Sequence, residues 1–253
     1  MKIILYLLLP LWLFSASIST TVIDANETGA TVKLAHIDIG VSGFIVRHFN
    51  DEHSAIIASA TVNEYDPDTR TAVLRLSAYD GLRQNSLPDG AWKPRAGDEA
   101  VLAFAYGRGV LLAPDSDTYF AVTSRIRSVE WIHPDGFAAF LSYRGHPTPL
   151  ESDIKEYCAL SSVGLLYIYM QSALFTLDCK SLSVLQITPA PFTPKEYKKP
   201  FYTRIGKIEA NWFGEGSDEI EDYEKFYDDF VTRHNQNNKK LAEFTHKDNN
   251  VSK

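Results

Sequence analysis

The stretch from Ala55 to Ala78 constrains the fold more than any other, because it reads as two strands folded back on a turn. Ala55–Tyr65 is rich in Ile, Val and Thr and stops at Asp66-Pro67-Asp68-Thr69, where proline presets a turn angle and aspartate can cap it. Arg70–Ala78 then returns as the hairpin partner, with Leu74, Leu76 and Ala78 alternating against Val73, Arg75 and Ser77. Side chains on a strand alternate between its two faces, so this period of two predicts a leucine face turned inward.

The same grammar runs from Val32 to Pro114. Gly43–Phe49 reads as a strand, Leu87–Gly97 as a looser Pro- and Gly-containing segment, and Glu99–Tyr106 as a hairpin partner of Gly109–Ala113 across Gly107-Arg108. A small β-barrel or sandwich over 32–114 is the expectation. Beyond Pro114 the spacing changes, and Ser116–Arg127 and Asp153–Leu160 read as short helices. Gly164–Met170, Ala173–Asp178 and Val184–Ile187 read as a meander. These predict an α/β subdomain over 115–209, with the proline-rich Thr188–Pro200 as a stiff extended connector.

A C-terminal amphipathic helix is predicted over 217–234. Ser217 suits its N-cap, and Ile220, Tyr223, Tyr227, Phe230 and Val231 share one face. The Asn-, Lys- and His-rich stretch 235–253 predicts disorder. The fold class is α+β.

Residues 1–19 predict a signal peptide. Lys2 precedes an apolar run from Ile3 to Phe14, followed by the small residues Ser15, Ala16, Ser17 and Ser19, with cleavage after Ser17 or Ser19. That run is about a dozen residues against the roughly 20 that a bilayer-spanning helix needs, so no stable membrane span is expected after cleavage. Export to the periplasm or cell surface follows. Both cysteines, Cys158 and Cys179, fall in the exported part, and an even count in an oxidising compartment predicts a disulfide. The competing reading is two buried thiols. A formal charge of -7 opposes nucleic acid as a partner, because the long-range field has the wrong sign.

Chemistry-bearing clusters are few. His48 and His53 flank Asp51 and Glu52, where a hairpin turn explains the polarity better than a metal does. Asp115-Ser116-Asp117 reads as a helix cap rather than a cation site, and His133-Pro134-Asp135-Gly136 as a turn. No phosphate loop, nucleophile elbow, dinucleotide glycine pattern or Cys-x-x-Cys redox pair is present. The expectation is a non-enzymatic protein with neither cofactor nor metal.

At Val163–Tyr169, Leu177-Asp178-Cys179 and Val184-Leu185 the sequence resembles the N-terminal domain of bacterial plasminogen-binding surface proteins. Gly43–Val46, Gln84–Pro88, Gly97-Asp98, Leu112-Ala113-Pro114 and Pro200–Arg204 are similar to further blocks of that family in the same order. The family's long charged C-terminal tail has no counterpart in this sequence. The resemblance implies an exported envelope protein that captures host plasminogen without catalysis of its own, through lysines. Lys253 is the foremost position, and Lys247, Lys240 and Lys239 are weaker ones. A terminal lysine offers an ammonium and a carboxylate together, and a pocket with one anionic and one cationic end can pair both. The other role compatible with these residues is a periplasmic structural or assembly component of a cell-envelope machine, with other envelope proteins as partners.

Overall fold

A computed structural model describes residues 17–79, 81, 92–171 and 173–251, side chains of 247–251 excepted. Most of the expected leader, residues 87–91 of the looser segment, and Lys253 lie outside the described residues. Six strands close a barrel: β1 (Ile18–Ala25), β2 (Gly29–Lys33), β3 (Ser42–His48), β4 (Ser54–Asp66), β5 (Thr71–Ser77) and β6 (Glu99–Leu102). They run in the order β1-β2-β5-β4-β3-β6, every neighbouring pair antiparallel.

The β4–β5 hairpin forms as read. Its turn is tied by Asp66, which accepts hydrogen bonds from the Asp68 amide at 2.9 Å and the Thr69 hydroxyl at 2.7 Å. Ala72, Leu74 and Leu76 point into the barrel, while Ala78 lies past the strand end and is exposed. The barrel starts earlier than position 32, because β1 and β2 supply the staves that close it.

The expected hairpin between Glu99–Tyr106 and Gly109–Ala113 does not form. Both edges of β6 are already occupied, by β1 and by β3, so no edge is left for the next strand. The chain instead turns at Ala103 and Ala105, both at positive φ, and enters a second sheet as β7 (Arg108–Leu112). That sheet has the order β11-β10-β9-β7-β8, built with β8 (Glu130–Ile132), β9 (Leu165–Tyr169), β10 (Ala173–Asp178) and β11 (Val184–Pro189). β7 runs parallel to both β8 and β9, and β9–β10–β11 is the predicted antiparallel meander.

Among the described residues five helices accompany the strands: α1 (Ser116–Arg125), α2 (Pro134–Arg144), α3 (Glu151–Leu160), α4 (Tyr223–His234) and α5 (Lys239–Val251). Three of them correct the sequence reading. His133-Pro134-Asp135-Gly136 is no isolated turn but the start of α2, with His133 as N-cap and proline in the first turn, where its missing N–H costs nothing. α4 starts at Tyr223 with Asp222 as its cap; the Ser217 hydroxyl is spent on the Gly214 carbonyl in the preceding loop. α5 occupies part of the segment expected to be disordered. It docks through Leu241 and Phe244, the Phe244 ring meeting Phe175 of β10 edge-on at 5.7 Å.

β9 and β10 are buried on both faces, as a sheet covered on each side must be. Leu111, Tyr167 and Tyr169 face a core shared with the barrel and α1. Val110, Leu112, Leu166 and Ile168 face a second core with α2, α3 and α4. Barrel and sheet are latched by the turn after β10. There the Asp178 carboxylate, fully buried, accepts from the Ser42 amide, the Ser42 hydroxyl and the Tyr106 hydroxyl at 2.9, 2.7 and 2.6 Å. Lys180 Nζ donates to Ser59 Oγ and Ser181 Oγ to the Gly40 carbonyl, each at 2.6 Å. Among the described residues no helix is long and apolar enough to cross a membrane.

Candidate functional site

β7 has β8 on one side, reached through α1, and β9 on the other, reached from β8 through α2 and α3. Open α/β sheets take ligands at the carboxyl ends of strands where the order reverses in this way. Here those ends carry Asp115 after β7 and His133 and Asp135 after β8.

The chain fills this crevice itself. The Lys198 amide donates to the Pro114 carbonyl at 2.8 Å and the Tyr202 amide to the Ala113 carbonyl at 2.7 Å, which lays the segment 195–204 across the strand ends. Asp115 caps α1 through the Thr118 amide at 2.6 Å and accepts the Lys195 amide at 2.9 Å. Burial works against its ionisation, yet these amides hold its pKa below the usual carboxylate value. Asp135 accepts from the Thr203 hydroxyl, the Arg204 amide and the Arg204 guanidinium at 2.8, 2.8 and 2.6 Å. Burial again opposes, but these donors bring its pKa to about 2. Burial lowers the pKa of His133, which lies between Tyr119 and Tyr202 with ring centroids at 5.0 and 6.3 Å. Asp115, His133 and Asp135 each bond within the chain, so the crevice reads as a structural seam.

The other polar clusters of the sequence are also accounted for. His48 pairs with Glu99 across β3 and β6 at 2.8 Å, and His53 bonds Asn50 within the β3–β4 turn at 3.0 Å. No group of three His, Cys, Asp or Glu residues that could hold a metal is found among the described residues. Cys158 and Cys179 are bridged, with Cα atoms 6.0 Å apart, joining the last turn of α3 to the end of β10.

The candidate lysines sit on α5 or just past it. The turn into this helix is stitched to β11: buried Asn235 donates to the Leu182 carbonyl and accepts from the Val184 amide, and Asn238 donates to the Val184 carbonyl. Lys240 has an internal role, donating to Asp38 at 2.7 Å and to the Leu185 carbonyl. Lys239 is exposed. Lys247 is placed on the helix by its backbone alone, and Lys253 lies outside the described residues.

Comparison with known proteins adds the following. The family model described as plasminogen-binding protein pgbA N-terminal matches residues 17–231. The plasminogen-binding protein PgbA of Helicobacter pylori strain 26695 is 23% identical over 200 residues, which covers 78% of this chain and 43% of that protein. Its counterpart in strain J99 is 22% identical with the same coverage. The chain therefore spans less than half the length of the curated relatives it matches. No solved structure matches it. The matched span includes the barrel, the second sheet, the disulfide and most of α4, and stops before every candidate lysine.

Proposed function

The chain belongs to the plasminogen-binding protein pgbA N-terminal family, and from that premise we propose that it is an exported, non-enzymatic envelope protein that captures host plasminogen. The observation that carries this reading is the family match over nearly the whole folded body, together with relatives named for plasminogen binding. The capturing groups in this proposal are lysines of the segment after α4: Lys253 first, then Lys247 and the exposed Lys239. Lys240 is the weakest of the four, because its ammonium would have to leave Asp38 and the Leu185 carbonyl before it could enter a partner's pocket. The folded body acts as a scaffold that holds this segment on β11.

Surface plasmon resonance of the mature protein on immobilised plasminogen tests the proposal. Binding should be competed by a free lysine analogue and should weaken when Lys253 is deleted or Lys239 and Lys247 become Ala. Indifference to both treatments would remove the lysine mechanism. One observation favours a second reading, a periplasmic structural or assembly component: the family match ends at residue 231, short of every candidate lysine. Protease shaving of intact cells separates the two, since a plasminogen receptor must be cleaved from outside and a periplasmic component must be spared.

A further inference from the structure

The loop between the 195–204 segment and α4 carries the most exposed aromatic residues of the described chain. Trp212 is 100% exposed and its neighbour Phe213 is 88% exposed. A loose loop could show such values by chance, but both feet of this one are tied. On the N-terminal side the Glu209 amide donates to Ser142 Oγ at 3.0 Å. Asn211 bonds two carbonyls at the end of α2, its side chain donating to Arg144 at 2.8 Å and its amide to Gly145 at 2.9 Å. On the C-terminal side the Ser217 hydroxyl closes on the Gly214 carbonyl at 2.6 Å, and the Thr148 amide donates to the Gly216 carbonyl at 3.1 Å. Gly214 and Gly216 both sit at positive φ, the backbone state that makes so abrupt a return possible. The two rings therefore stand at the crest of an anchored loop. Tyr143, 87% exposed, lies between the α2 residues that anchor it.

The loop's own sequence carries charge of one sign, and the cations nearest to it, Arg144, Lys199 and Lys207, sit on its anchoring side. From Ile208 to Tyr223 the sequence contains Glu209, Glu215, Asp218, Glu219, Glu221 and Asp222, and no Lys or Arg. All six are exposed, and of their side chains only Asp222 has a structural task, as the cap of α4. An indole face attracts cations through its quadrupole, and free carboxylates around it add a complementary field. We propose that the Trp212–Phe213 crest docks a lysine- or arginine-rich segment of a partner protein, the rings taking cationic side chains and their aliphatic stems and the acidic rim pairing the remaining charge. An anionic membrane surface is the wrong sign for this rim. A self-contact through the same patch would set the acidic rim against itself.

The surface is independent of the lysines proposed for plasminogen, so each can fail without the other. The test is a titration of the full chain with a labelled Lys-Ala repeat peptide of about twelve residues, its Glu-Ala counterpart, and phosphatidylcholine vesicles with and without phosphatidylserine. The Lys-Ala peptide should bind and lose affinity with rising salt, while the Glu-Ala peptide and both vesicle types should not bind. W212A/F213A, whose thermal melt should match that of the parent because both rings are exposed, should weaken peptide binding about tenfold. E215Q/D218N/E219Q should weaken it severalfold. Equal binding of the peptide by W212A/F213A, binding of either vesicle type, or an association of the chain with itself that W212A/F213A abolishes would each overturn the proposal.

Discussion

Asp178 at the end of β10 and Ser42 at the start of β3 stand 136 positions apart and are joined twice, one carboxylate oxygen accepting both the amide and the hydroxyl of Ser42. The other oxygen accepts the amides of Lys180 and Ser181, which shapes the turn that reaches the barrel. One side chain thus makes the local turn and the long-range junction. The charge also shows on Tyr106, whose pKa lies well above the ordinary tyrosine value through burial and then through Asp178.

Asp178→Ala leaves four residues' donors without their acceptor in a buried seam, and should cost about 3 to 5 kcal/mol. Ser42→Ala removes only the hydroxyl bond and should cost about 1 kcal/mol. Urea midpoints of the two variants check this; equal, small losses would show that the junction does not depend on the carboxylate.

Gly43 of β3 pairs with Leu102 of β6 at close backbone approach. A Cβ there would meet the Val101 carbonyl oxygen at 2.0 Å and the Leu102 Cα at 2.7 Å, both backbone atoms that cannot swing aside. Gly43→Ala should therefore destabilise by about 3 kcal/mol, the upper range for forced overpacking. Gly107→Ala meets nothing within 4 Å and should stay within about 0.5 kcal/mol. Thermal unfolding of the pair checks barrel closure.

The bridge between Cys158 and Cys179 closes a loop of 21 positions. In the chain-entropy account its removal costs about 3 kcal/mol. Cys158→Ala/Cys179→Ala should lower the urea midpoint accordingly, and denatured but unreduced protein should show no free thiol in a thiol titration.

Asp135 has its pKa lowered from 3.8 to about 2. A depressed carboxylate stabilises the fold above its unfolded pKa and loses that contribution as pH falls through the folded value. Stability should thus drop by about 2 kcal/mol between about pH 4 and pH 2. Glu151, held at about 2 by its bonds to Lys155 and then His234, loses its pairs over the same window. Asp135→Asn should be less stable than the parent at pH 7 and show a shallower acid slope. Urea titrations at stepped pH measure both.

Phe244→Ala removes the ring contact of α5 with Phe175, and Lys240→Ala removes its tie to Asp38. Together they should undock the helix while the barrel and second sheet persist. Hydrogen exchange of amides 241–246 should then rise about a hundredfold or more, with β9 and β10 unchanged. Unchanged exchange across 241–246 would show that the helix is held by other contacts.

Local periodicity made much of this fold legible. The β4–β5 hairpin, the β9–β11 meander and the capping role of Asp115 rest on short-range signals, the pairing of the cysteines on their even count and compartment, and all appear in the structure. The errors share a cause. His133-Pro134-Asp135-Gly136 satisfies the rules for a turn and for a helix start alike, and only the apolar run after it, packed on β7 and α3, chooses between them. The segment after Asn235 is too polar to predict a helix, and Leu241 and Phe244 order it only because β10 and β11 present a surface to meet them. The latch residue Asp178 had a visible signal in Asp-Cys-Lys-Ser at a strand end, an Asx turn in the making. Its partner at Ser42 had none.

From the sequence alone came the α+β class, the barrel strands β3, β4 and β5, the meander, the disulfide and the family resemblance, because each depends on residues close in the chain, on the cysteine count and compartment, or on ordered blocks, whereas β1 and β2 were legible only in the closed barrel. The tertiary structure decided where β7 goes, since β6 had no free edge to offer it. It also decided that the crevice beside β7 is filled by the chain itself, that Lys240 is already bonded while Lys239 is exposed, and that Trp212 and Phe213 stand outward on an anchored crest. These depend on which edges, acceptors and surfaces are already taken, and that competition between distant parts of the chain is resolved only in three dimensions.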